Sequence, residues 1–107
     1  MKILSIKLKK RKTENIKVEI VFNEVLKKLS KQKKISLSNS LVPSYIGSTH
    51  LRDLILSNEK NLTAKMNFWN KVTKKVEYNS NVRSKLIENH GEIMKVWEWI
   101  SDIDIDN

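Results

Sequence analysis

The sequence predicts an α+β fold in which an N-terminal antiparallel β-hairpin packs against about four α-helices. Three observations predict it. Apolar and polar residues alternate in two segments near the N-terminus, apolar residues recur at helical spacing through most of the remainder, and 107 residues contain only two glycines and one proline. A hairpin alone is marginal in water, so its apolar face needs a cover, which the helices supply. A chain of this length is expected to form one domain, residues 1–107, because two independent cores would each be too small.

The hairpin is placed at about residues 2–22. Leu4, Ile6 and Leu8 alternate with Ser5, Lys7 and Lys9, and Ile16, Val18, Ile20 and Phe22 repeat the pattern, which is the period of a half-buried strand. The polar stretch from Lys10 to Glu14 is read as the turn between them. The helical part is placed at about residues 23–101. Asn23 caps a first helix to about Lys34, with Val25, Leu26 and Leu29 inward and a lysine stripe outward. Ser38, Asn39, Pro43 and Gly47 make residues 35–47 a connection. Ser48 opens a helix to about Asn58, and another follows from about Leu62 to Val76. The spacing of Val82, Leu86, Ile93, Trp97 and Ile100 predicts a last helical region with a break near Gly91. Residues 102–107 form a short acidic tail.

Charge is the strongest functional signal. The formal net charge is +9, and residues 1–34 carry twelve basic groups against three acidic ones. Two clusters are the candidate nucleic-acid-binding residues: Lys9, Lys10, Arg11 and Lys12 at the expected hairpin tip, and Lys27, Lys28, Lys31, Lys33 and Lys34 on the first helix. Each phosphate they neutralise would release counterions. Lysine makes point contacts and arginine is scarce, so contact with DNA or RNA would be non-specific or shape-based. The lysine, asparagine and isoleucine bias also fits an AT-rich genome, which accounts for part of the charge. A helix-turn-helix with Gly47 at its turn is rejected, because it would put Pro43 inside a helix and Asp53 at an apolar position.

The rival function is a phage or mobile-element type regulator or inhibitor that docks its lysines and Trp99 on an acidic surface of a partner protein. Trp99 is singled out because, on a helix, it projects about 200° from Trp97, so only one of the two can join the core. Catalysis ranks below both. His50 with Asp53, and His90, lack a nucleophile, a phosphate loop or a metal spacing, so no catalytic residue, metal or cofactor is assigned; a small basic ribonuclease is the form an enzyme would take. The Asp102, Asp104 and Asp106 alternation lacks the position-12 carboxylate of a calcium loop. Without cysteine, an export signal or a membrane span, the expected location is cytoplasmic, with no membrane partner. The oligomeric state is left open.

Overall fold

The computed structural model describes the backbone of residues 2–102 and the side chains of residues 13–102. In chain order the elements are α1 (Lys2–Ser38), β1 (Tyr45–Gly47), α2 (Ser48–Ile55), α3 (Leu62–Tyr78), β2 (Val82–Asn89) and β3 (Glu92–Trp99). The strands form one antiparallel sheet in the order β1-β3-β2, with Tyr45 opposite Glu98 and Val82 opposite Trp99. The molecule is α+β overall, but the described residues contain three helices and no N-terminal hairpin. The chain from residue 2 to residue 38 is one helix of 37 residues.

The physical reason lies in what the presumed turn lacks. Lys10 to Glu14 contains no Gly, Pro, Asn or Asp, and Lys, Arg and Glu are good helix formers, so nothing there reverses the chain. Burial then follows the helical period: Val18, Val25 and Leu29 lie inward with Leu26, while Ile16 and Ile20, half of the supposed apolar strand face, are each 60% exposed. The helix ends where its sequence favours side-chain-to-backbone bonds. Ser36 Oγ donates to the Lys33 carbonyl at 2.7 Å, and the Asn39 side chain accepts from Leu41 N–H in an Asx turn at 3.0 Å. Pro43 follows.

Gly47 closes β1 and also caps α2, so no helix-turn-helix pivots on it. The two helices in series are α2 and α3. Asn61 caps α3, its side chain accepting from Ala64 N–H at 3.0 Å.

The last helical region is instead the β2–β3 hairpin. Asn89 pairs with Glu92 across a two-residue loop in which His90 (φ 53°) and Gly91 (φ 83°) are both left-handed, the mirror-image turn that matches strand twist. The Asn-His-Gly stretch that reads as a helix break is a strand reversal. One apolar cluster joins Val18, Val25, Leu26 and Leu29 of α1, Leu51 of α2, Trp69, Val72 and Val76 of α3, and Val82, Trp97 and Trp99 of the sheet. Only the near half of the hairpin enters it. Leu86 and Ile93, farther out, stay largely exposed.

Candidate interaction surface

A partly buried carboxylate fixes α1 to the sheet. Glu98 accepts from Lys33 of α1 at 2.8 Å, from Ser44 at 2.9 Å and from Lys85 of β2 at 3.2 Å. Burial alone would raise its pKa, but donation from Lys33, Ser44 and Lys85 outweighs it and holds the carboxyl at about 2, below the ordinary 4.5. Lys85 also lies 5.1 Å from the centre of the Tyr45 ring. On the other face of the sheet, Glu77 accepts from Trp97 Nε1 at 3.0 Å and from Lys95 at 2.9 Å. Burial raises the Glu77 pKa, and these donors bring it below the ordinary value. Sequence reading missed both carboxylates. The available signal was a lone acid at 98 between tryptophans, legible only to someone who already held the strand assignment.

The predicted basic residues are divided by this arrangement. Lys33 turns inward to Glu98, and Lys28 lies 4.0 Å from Glu24 one turn earlier. Lys27, Lys31 and Lys34 are exposed on α1. Lys9, Lys10, Arg11 and Lys12 belong to the backbone of α1 rather than to a hairpin tip, and their side chains lie outside the described residues. Beyond Asp102 the acidic tail also lies outside them.

A groove of about 650 Å³ runs between α1, β1 and α2, with Ile35, Pro43, Leu51 and Met94 as apolar lining and Lys28, Lys31 and His50 as its basic groups. A larger one, about 920 Å³, separates α1 from the start of α3 and is lined by Ile20, Val21, Leu56 and Phe68 among others. Asp53, set beside His50 in the sequence, bonds instead to Arg52 at 2.9 Å and lies 3.2 Å from Lys65, and donation from Arg52 first and Lys65 second lowers its pKa.

Trp99 is not at the surface. On a strand, residues two apart share a face, so Trp97 and Trp99 both enter the core, at 0% and 3% exposure. The helical geometry that separated them does not exist here. Trp69 completes the aromatic group, its ring centre 5.8 Å from that of Trp97 and its Nε1 donating to Ser48 Oγ at 3.3 Å.

The family model described as the Man1-Src1p-C-terminal domain matches residues 1–102. The chain is 37% identical over 105 residues, 97% of its length, to the inner nuclear membrane protein SRC1 of Saccharomyces cerevisiae. It is 31% identical over 84 residues, 77% of its length, to the inner nuclear membrane protein HEH2 of the same organism. It spans 13% and 12% of the length of those two relatives. No solved structure matches. These likenesses overturn the reading of a cytoplasmic nucleic-acid binder, its phage or mobile-element alternative, the ribonuclease variant and the expectation of no membrane partner. The error has a simple cause: a lysine excess specifies an anionic partner without saying whether it is a nucleic acid, a protein or a lipid surface. No helix among the described residues is long and apolar enough to cross a membrane.

Proposed function

The chain belongs to the Man1-Src1p-C-terminal domain family, and from that premise we propose that it is a folded, non-catalytic domain of an inner nuclear membrane protein, presenting binding surfaces beside the bilayer. Residues 1–107 are read as one folding unit of that larger protein. The observation that carries the proposal is the 37% identity to an inner nuclear membrane protein over nearly the whole chain. The geometry supports a binding role. The charged groups with shifted pKa values, Glu98, Glu77 and Asp53, are all engaged in ion pairs within the domain, and the open features are grooves with apolar lining.

The test is the location of a fluorescent fusion of the full-length protein that carries this domain. Fluorescence confined to the nuclear rim is expected. Even fluorescence through the cytoplasm overturns the proposal.

A further inference from the structure

Helix α1 has two sides of opposite character. At about 100° per residue, Val18, Val25 and Leu29 fall within about 40° of one another and face the core. Diametrically opposite, Ile16, Ile20, Lys27 and Lys31 fall within about 60°. Ile16 and Ile20 are each 60% exposed, and both lysines are exposed. The carboxylates of this part of the helix are occupied. Glu14 and Glu19 ion-pair with Lys71 and Lys75 of α3, and Glu24 reaches Lys28. Lys17, Lys27 and Lys31 have no carboxylate partner among the described residues. The outward face therefore combines uncompensated positive charge with two isoleucines one turn apart, over a length of about 22 Å from residue 16 to residue 31.

We propose that this face of α1 docks the domain on a bilayer surface that contains anionic lipids. Lys27 and Lys31 meet the headgroup phosphates and carboxylates, while Ile16 and Ile20 enter the boundary between headgroups and acyl chains. Charge complementarity selects an anionic partner, and the isoleucines favour lipid over nucleic acid, because a phosphate backbone offers them no apolar medium. The proposal rests on the reading of an inner nuclear membrane protein, which brings a bilayer within reach, and adds that this domain itself touches the membrane.

Co-sedimentation of the 107-residue chain with vesicles decides it. Vesicles of phosphatidylcholine with phosphatidylserine should bind the chain, and vesicles of phosphatidylcholine alone should bind it at least about tenfold more weakly, with the difference shrinking as salt rises. The double variant Lys27→Gln with Lys31→Gln should lose about 25-fold in affinity, roughly fivefold per lysine. Ile16→Ser with Ile20→Ser should also weaken binding severalfold, with an unchanged circular dichroism spectrum in both variants because all four positions are exposed. Equal binding to the two vesicle types, or wild-type binding by the lysine variant, overturns the proposal. So does a chain that ignores vesicles but binds duplex DNA or an acidic protein equally well before and after the isoleucine changes. A full-length protein that leaves the nuclear rim would overturn the reading of the previous subsection instead, so the two failures are separable.

Discussion

Lys33 and Glu98, 65 residues apart in the chain, form an ion pair at 2.8 Å that joins α1 to the central strand β3. Ser44 and Lys85 complete the carboxylate's partners, so one side chain links α1, the segment before β1, and the hairpin. Glu98 is 8% exposed, and its removal would leave Lys33 and Lys85 without their shared counter-charge.

This linkage has a defined pH dependence. The folded-state pKa of about 2 lies below the ordinary 4.5, so the stabilisation is present in full above about pH 4.5 and is lost as pH falls through about 2. Glu98→Gln is expected to cost about 2–3 kcal/mol at neutral pH and to remove this part of the acid sensitivity. Denaturant midpoints of both proteins, measured from neutral pH downward, check it: the curves should converge in acid. Parallel curves would show that Glu98 contributes no proton-linked stability.

The tryptophans give a second prediction. Trp97 and Trp99 share the core face of β3 and both are buried, so truncation of either to Ala opens a cavity worth about 3–5 kcal/mol. That is a large part of a small domain's stability. Equilibrium denaturation should find both variants severely destabilised, with Trp97→Ala also leaving Glu77 without one of its donors. A loss under about 1 kcal/mol for Trp99→Ala would place that ring at the surface.

The hairpin turn gives a third. A Cβ at Gly91 would meet nothing within 4 Å, so any effect of Gly91→Ala comes from its φ of +83° rather than from a clash. The expected cost is about 1 kcal/mol. His90, at φ 53°, should gain a few tenths of a kcal/mol as Asn, the residue that mirror-image turns prefer before Gly. Thermal melts of the two variants should therefore move in opposite directions. A neutral Gly91→Ala would mean that the turn relaxes to another geometry.

The sequence by itself determined the local features whose signals lie within a few residues. The start of α3 at Leu62, the connection through Asn39 and Pro43, and the inward positions Val25, Leu26 and Leu29 were all legible, because proline geometry and helical period act locally. Two segments were not legible, for one shared reason. Ile16, Val18, Ile20 and Phe22 fit a strand by alternation, and Leu86, Ile93 and Trp97 fit a helix by spacing, yet each run takes the other form. A short apolar pattern satisfies both periods, and what selects between them is the surface available for burial. Only the tertiary structure supplied that surface: α3 and the sheet bury one stripe of α1 and leave Ile16 and Ile20 outside, while β1 and β2 flank β3 and draw Trp97 and Trp99 in together. The same long-range geometry decided the charges. Composition gave the lysines their number, but whether Lys33 faces solvent or Glu98 depends on where a strand 65 residues away comes to lie.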